Sequence, residues 1–438
     1  MKNLIQLAVL TNVVISAAYA KTNVVYGIDN RVEVFEASEA HQILAKSTAS
    51  MILMNQMTTD ETKPGLVNFS QTTLTDWLQS SSKSSAANFC DGTRYATQPN
   101  PSMCSGFLIA PDLIVTAGHC VEIENMCEEY RWVFDFNVDE QTQTAGIDVK
   151  EENIYKCKRV ISHALSSLLS LDYAVIQLEK AVVGREPLEF NTSRISDTQS
   201  VMVIGNPSGL PTKVADGASV RKNTHPFFFS TNLDTFSGNS GSAVFNAETG
   251  KVEGILVRGE EDYIPNYKLM CVETNFCATD ACRGEDVSRM TSIPEVSVQK
   301  ALYAASISGN MTELNKILKL RFWVDFYTKD GQSALIKASS VAQVEAMRAL
   351  LAKAADVNLK DAKGNTALHE LARVVSANSL AAFEILIQAG ADLEARNAEG
   401  ETALLIAARS LNAEGVQLLL AAGADKTSVA NIGYIVVE

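Results

Sequence analysis

The chain has 438 residues, 46% of them hydrophobic, and a formal net charge of −14. This length exceeds what one ordinary hydrophobic core organises, so two or three domains are expected. The charge argues against a nucleic-acid partner, because phosphate binding requires a basic face. The acidity is concentrated in residues 21–294, which hold 35 acidic and 22 basic residues.

The first twenty residues have the pattern of a secretory signal peptide. Lys2 precedes an apolar stretch, and the sequence AYA at 18–20 provides a cleavage site of the A-x-A type before Lys21. No later stretch is long and apolar enough to span a membrane. We therefore expect residues 1–20 to be removed and the mature protein to be periplasmic or secreted.

The cysteines are consistent with export. All eight lie between Cys90 and Cys282, and none lies in the region that follows. An even number of cysteines confined to one part of an exported protein indicates disulfides rather than free thiols. The spacing of Cys271, Cys277 and Cys282 does not fit a metal site, and neither a metal nor another cofactor is predicted.

Residues 21–294 have the pattern of an antiparallel β domain. Short runs of β-branched and aromatic residues recur between clusters of Gly, Pro, Asn and Asp, as in FLIA at 107–110, AVIQL at 174–178 and VMVI at 201–204. This pattern predicts a barrel or a sandwich.

Three short segments of this domain carry the residue types of a nucleophilic hydrolase. They are TAGHC at 116–120, DYAVI at 172–176 and GNSGS at 238–242. Peptide hydrolysis needs a nucleophile, a base and a carboxylate that orients the base. The segments resemble the trypsin/chymotrypsin-like superfamily, which implies an all-β double barrel of trypsin-like type. The resemblance also implies that Ser240 is the nucleophile, His119 the general base and acid, and Asp172 the carboxylate.

The resemblance extends to residues around this triad. It implies that the backbone N–H groups of Gly238 and Ser240 form the oxyanion hole, where glycine suits a peptide that must point inward. The segment CSGFLI at 104–109 precedes the histidine segment as it does in the superfamily. That position implies a disulfide between Cys104 and Cys120. The pairing of the other six cysteines stays open.

Two features separate the chain from the digestive and clotting proteases. Asn239 stands where those proteases have the aspartate that binds a new N-terminus on activation, and no IVGG start occurs. The sequences GNSGS and VYGIDNR, the latter at 25–31, instead resemble the bacterial branch that includes the glutamyl endopeptidases.

Two residues are candidates for the substrate-binding pocket. Asp234 lies six residues before the nucleophile, where trypsin-like enzymes place the acid that binds a basic P1 side chain; the alternative is a solvated loop residue. Leu256 stands where glutamyl endopeptidases have a histidine, so a preference for Glu is not indicated. Arg258 either neutralises Asp234 or binds an acidic residue itself. The expected preference is for basic P1 residues.

From residue 295 onward the chain has the periodicity of a helical repeat. Gly331, Gly364 and Gly400 lie 33 and 36 residues apart, and an Ala-Leu pair follows each of them at the same offset. The sequences NTALH at 365–369 and ETALL at 401–405 resemble the T-P-L-H box of ankyrin repeats. The resemblance implies an all-α solenoid of about four units over 295–438, with a degenerate first unit at 298–330.

Together these features predict an exported serine endopeptidase that works through an acyl-enzyme. Stacked ankyrin units present a concave face suited to proteins, so the repeats are expected to bind a protein substrate or a regulator. The alternative is a catalytically silent protease fold that serves as a scaffold while the repeats bind a partner. Neither a nucleic-acid partner nor a membrane span is expected.

The asparagine before the nucleophile generates a testable prediction about activation. Protein purified as residues 21–438 should hydrolyse a general protein substrate without treatment by a second protease, because Asn239 cannot form the activating ion pair. The Ser240→Ala variant provides the background rate. A protein that stays inert until another protease trims it would contradict this prediction.

Overall fold

The computed structural model describes residues 25–59, 61–81, 88–141, 147–277, 282–327 and 329–427. The predicted signal peptide at 1–20 lies outside these residues. Within these ranges, no helix has the length and apolar character needed to cross a bilayer.

The first barrel is closed by six antiparallel strands rich in β-branched and aromatic residues. Its fully buried strand, Leu113–Thr116, leads directly into the segment that carries His119. In the order in which they pair around the barrel, the strands are Ile154–Ser166, Leu171–Leu178, Leu113–Thr116, Ser102–Ala110, Thr48–Leu53 and Tyr130–Phe134.

The second barrel also contains six antiparallel strands. In pairing order they are Ser200–Gly205, Ala243–Asn246, Val252–Arg258, Glu285–Arg289, Phe228–Thr231 and Lys213–Lys222. The last of these pairs with the first and closes the ring. A short strand, Val32–Glu33, adds to the outside of this barrel beside Lys213 and Val214.

Shorter elements surround the two barrels. The further strands are Val25–Tyr26 with Phe276–Cys277, Tyr263–Asn266 with Cys271–Thr274, and the sheet of Met57–Thr59, Leu66–Phe69 and Asp148–Lys150. The α-helices of this half are Glu39–Ala45, Leu74–Ser81 and Met126–Glu129. The 3-10 helices are Val34–Glu36, Met54–Gln56, Gly118–Val121, Glu151–Asn153, Pro207–Gly209 and Met290–Ser292.

One apolar cluster extends from the first barrel into the second, and the second barrel has a further cluster of its own. Phe107 and Trp132 of the first barrel and Phe245 and Ile255 of the second are fully buried in the same cluster. Burying a side chain of this size stabilises the fold by roughly 1.5–3 kcal/mol. Because the barrels share the first of these clusters, loops that meet at the seam between them are held in a fixed relation.

From residue 294 to 427, the described part of the C-terminal region consists of four helix pairs, in the arrangement of ankyrin repeats. Hydroxyl side chains cap the N-termini of the first helices of the second and fourth pairs. Ser333 Oγ accepts from Ile336 N, and Thr402 Oγ1 accepts from Leu405 N. The pairs are Pro294–Ser308 with Met311–Leu318, Ala334–Ser339 with Val344–Ala352, Ala367–Ala372 with Ser379–Gln388, and Ala403–Arg409 with Ala413–Ala421. The predicted double barrel followed by an all-α repeat region is confirmed.

The two halves are joined without an intervening loop of any length. The 3-10 helix Met290–Ser292 is followed almost at once by the helix Pro294–Ser308. Phe326 and Tyr327 of the first repeat belong to the core cluster of the first barrel, and the Tyr327 hydroxyl donates to Asp112 Oδ1 at 2.5 Å. The first repeat is therefore packed against the barrel.

The buried Glu295 strengthens this junction. Its carboxylate is 2% exposed and accepts hydrogen bonds from Ser162 Oγ on the first barrel and from Trp323 N on the repeat, each at 3.2 Å. Satisfying a buried carboxylate in this way requires both halves to be in place, because one donor comes from each.

The junction leads to a prediction about stability. Phe326→Ala should lower the free energy of unfolding of the full chain by about 3–5 kcal/mol, because it removes a phenyl ring buried between the halves. Urea unfolding measures this. The control is Leu320→Ala, which removes a side chain of the same repeat that is 51% exposed and should change stability by about 0.5 kcal/mol or less. Equal effects of the two variants would contradict the packing described here.

Candidate active site

His119 and Asp172 are brought together by the first barrel. His119 lies in the 3-10 helix Gly118–Val121, and Asp172 lies at the start of the strand Leu171–Leu178. Asp172 Oδ2 is 2.9 Å from His119 Nδ1, and its Oδ1 accepts from the His119 backbone N–H at 3.1 Å. The carboxylate is almost fully buried, while the imidazole is 37% exposed. This contact fixes the ring and leaves Nε2 as its basic nitrogen.

Ser240 lies in the turn before the strand Ala243–Asn246 of the second barrel, and Ser105 ties that turn to the first barrel. The Ser105 N–H donates to Ser240 O at 2.8 Å, and its hydroxyl lies 3.1 Å from Gly238 O. On the histidine side, Cys120 Sγ lies 3.8 Å from Ser240 O. The chain at His119 therefore passes beside the chain at Ser240. Ser105 was not predicted as a site residue, although it lies in the segment CSGFLI at 104–109.

The turn around Ser240 leaves two backbone donors available. The N–H groups of Asn239, Gly241 and Ser242 donate to Phe236 O, Leu256 O and Asn239 O. Within the described ranges, the N–H groups of Gly238 and Ser240 make no such bond. Gly238 has a φ of +91°, a conformation that glycine adopts without strain. Two free N–H groups beside a serine are what an oxyanion hole requires.

All eight cysteines are paired in the structure, as Cys90–Cys271, Cys104–Cys120, Cys127–Cys157 and Cys277–Cys282. The second of these pairs lies next to the triad, since its sulfur atoms and a ring nitrogen of His119 lie within 4.8 Å of one another. Because the two sulfur atoms are bonded to each other, this cluster does not offer thiolates to a metal ion.

Asp234 lies elsewhere than the sequence suggested. It is 2% exposed, and its two carboxylate oxygens accept from the backbone N–H groups of Tyr26 at 2.7 Å and Asn30 at 3.0 Å. Burial raises its pKa to about 6, against the effect of these two hydrogen bonds. Asp234 therefore anchors the segment that follows residue 24, and it does not line the cavity beside Ser240. A count of positions cannot show which way a loop side chain turns.

A cavity of about 270 Å³ opens beside Ser240. One wall is formed by residues 235–237, before the nucleophile, and another by residues 256–262, where the strand Val252–Arg258 ends. Four carboxylates line it, those of Glu260, Glu261, Asp262 and Glu285. Burial raises the pKa of Asp262 to about 7, although its carboxylate accepts from Ser237 N at 2.8 Å. None of these four residues was predicted from the sequence.

Arg258 lines the same cavity, as the sequence suggested, but its partner is a different acid. Its Nε lies 3.5 Å from Asp286 Oδ2, and its guanidinium lies over the ring of Phe228. Neither contact involves Asp234. With four carboxylates against this one guanidinium, the cavity lining is acidic.

The comparisons with known proteins agree with this architecture. The family described as a trypsin-like peptidase domain matches residues 104–255, which include all three triad positions. The family of ankyrin repeats matches residues 301–397 and 360–430. No curated protein matches the chain. The chain thus contains a trypsin-like peptidase domain followed by ankyrin repeats, which confirms the resemblance at that level. Its placement in the glutamyl-endopeptidase branch stays a prediction.

The glycine of the oxyanion loop leads to a prediction about catalysis. A Cβ at residue 238 would lie 2.6 Å from Gly209 N, so Gly238→Ala must displace the peptide that carries one of the two free donors. We expect kcat to fall by about 10²–10³. The control is Gly65→Ala, at a φ of +82° with no atom within 4 Å of the added carbon; it bears backbone strain alone and should leave kcat unchanged. Equal losses of kcat in both variants would contradict the assignment.

Proposed function

We propose that the protein is an exported serine endopeptidase whose ankyrin repeats bind a protein substrate or a regulator. The observation that carries the enzymatic part is the meeting of two half-sites at the seam between the barrels. The first half-site is an imidazole held at Nδ1 by a buried carboxylate. The second is Ser240, whose own N–H and that of Gly238 make no hydrogen bond among the described residues.

In the proposed reaction, Ser240 Oγ attacks the carbonyl carbon of the scissile peptide bond. His119 Nε2 takes the hydroxyl proton and later delivers it to the leaving amine, while Asp172 holds the tautomer with the proton on Nδ1. The negative charge that develops on the carbonyl oxygen is stabilised by the N–H groups of Gly238 and Ser240. Water then attacks the carbonyl carbon of the acyl-enzyme. His119 Nε2 takes a proton from this water and delivers it to Ser240 Oγ, which leaves as the free hydroxyl.

Two observations support export and a role of the repeats in binding. Four cystine pairs that use every cysteine favour an oxidising compartment, and the signal-like residues 1–20 favour secretion to the periplasm or the medium. The repeat units stack through the buried His369, whose Nε2 lies 3.1 Å from Glu401 O of the next unit. A stack of this kind presents an extended face that suits a protein partner.

Labelling with a fluorophosphonate tests the proposed activity. The wild-type protein should become labelled at Ser240, because the reagent needs an activated serine hydroxyl beside an oxyanion hole. The Ser240→Ala variant should not be labelled. Asp172→Asn should keep the site's shape but lower kcat on a peptide substrate by about four orders of magnitude, because it favours the wrong imidazole tautomer.

The same measurements separate the enzyme from a silent scaffold. A wild-type protein that neither reacts with the probe nor cleaves a peptide would favour the scaffold, in which the repeats alone carry the function. A labelled Ser240→Ala variant would place the reactive hydroxyl on another residue.

A further inference from the structure

The peptide unit between Ser237 and Gly238 carries one of the two free N–H groups beside Ser240. In a trans peptide the C=O and the N–H point in opposite directions, so a contact that holds Ser237 O also decides where the Gly238 N–H points. Ser237 O accepts a hydrogen bond from the backbone N–H of Ser208 at 2.5 Å. The direction of this donor is therefore set by a residue of a different loop.

Ser208 is held in a backbone conformation that a serine rarely adopts. Its φ is +54° and its ψ is 23°, in the left-handed region that favours glycine, within the 3-10 helix Pro207–Gly209. Its N–H donates to Ser237 O, its carbonyl oxygen accepts from the Asn100 side chain at 3.3 Å, and its hydroxyl lies 2.7 Å from the Tyr263 hydroxyl. Residues in such conformations persist where the surrounding structure fixes them. The hydroxyl contact supplies a reason for serine rather than glycine at this position.

Tyr263 connects Ser208 to the loop before the nucleophile by a second route. It begins the strand Tyr263–Asn266 of a two-stranded sheet. Its ring packs against the ring of Phe236, with 5.4 Å between the centroids, and against the ring of Phe89 at 4.9 Å. The aromatic body of Tyr263 thus contacts the same loop whose peptide unit its hydroxyl reaches through Ser208.

The residue before Tyr263 holds the neighbouring peptide unit of that loop. Asp262 Oδ2 accepts from the Ser237 N–H at 2.8 Å. Ser237 is therefore bound at both of its backbone polar groups, at the N–H by Asp262 and at the C=O by Ser208. Because Ser237 is itself exposed, these backbone contacts fix the orientation of its peptide units.

We propose that Ser208 and Tyr263 are positioning residues of the peptidase, which hold the peptide unit before Gly238 in the orientation that leaves its N–H free for the oxyanion. This inference rests on the proposed endopeptidase activity. Rotation of that peptide unit would turn Ser237 O toward the developing negative charge, so the site would present an acceptor where it needs a donor. The hydrogen bond from Ser208 opposes this rotation, because the rotation would break it.

The experiment measures kcat and KM of Tyr263→Phe on a peptide anilide. The substitution keeps the ring but removes the hydroxyl that contacts Ser208. We expect kcat to fall about 10-fold, less than the factor of about 10²–10³ for loss of a whole donor, because the donor is misdirected rather than removed. KM should stay within about twofold, since this donor acts mainly in the transition state. Ser208→Gly breaks the same contact from the other side and should lose a similar amount.

A double variant distinguishes a positioning role from general damage to the fold. Added to Gly238→Ala, Tyr263→Phe should cause little further loss of kcat, because the peptide unit that it positions is already displaced. Two unrelated defects would instead multiply their losses.

The control is Tyr155→Phe, which removes another tyrosine hydroxyl that has a hydrogen-bond partner. Tyr155 is 3% exposed and lies on the first barrel, where its hydroxyl accepts from Val183 N at 3.3 Å. Its kcat should match that of the wild type.

Two outcomes would overturn the assignment of Ser208 and Tyr263 while leaving the peptidase in place. One is the kcat of the wild type in either Tyr263→Phe or Ser208→Gly. The other is a double variant with Gly238→Ala whose loss is the product of the two single losses. A wild-type protein that neither reacts with the fluorophosphonate nor cleaves a peptide would remove the peptidase itself, and this inference with it.

Discussion

The site depends on one contact across the seam between the barrels, which Ser105 makes. Its backbone N–H binds Ser240 O at 2.8 Å, and its hydroxyl lies between Gly238 O and Asn206 Oδ1. The residue before it, Cys104, is bonded to the residue after His119. A single short stretch of one strand thus fixes both His119 and the turn that carries Ser240. The proposed mechanism requires such a contact, because an error of about 1 Å between His119 and Ser240 would cost about two orders of magnitude in rate.

The acid that the sequence assigned to substrate binding has a structural role. Asp234 holds the backbone of Tyr26 and Asn30, and Arg31 then lies over the ring of Phe236, with its Cζ 3.9 Å from the ring centroid. Phe236 lies two positions before Gly238, which carries one of the two free N–H groups. The early segment of the chain therefore packs against the loop that precedes Ser240, and the buried Asp234 carboxylate holds that segment in place.

The parts of the structure that could be predicted from the sequence are those that short motifs and periodicity encode. The strands and the repeats could be found because each lies in a local pattern, and the trypsin-like and ankyrin matches agree with them. The three triad positions were proposed on the same kind of local pattern. Glu285 could not be found in this way, because it reaches the cavity only through the pairing of its strand with Phe228–Thr231 and Val252–Arg258. The contact of Tyr327 with Asp112 likewise joins residues 215 positions apart that belong to no shared motif.

The direct junction between the halves has a geometric consequence for any protein that the repeats hold. The chain passes from the 3-10 helix at 290–292 into the first repeat helix with only Ile293 between them, and that repeat is packed onto the barrel that carries His119. A flexible tether would let a captured chain sample many bonds. A docked stack instead fixes the distance between the segment that the repeats bind and Ser240. The protein would then act as a ruler that selects a bond by its distance from the bound segment.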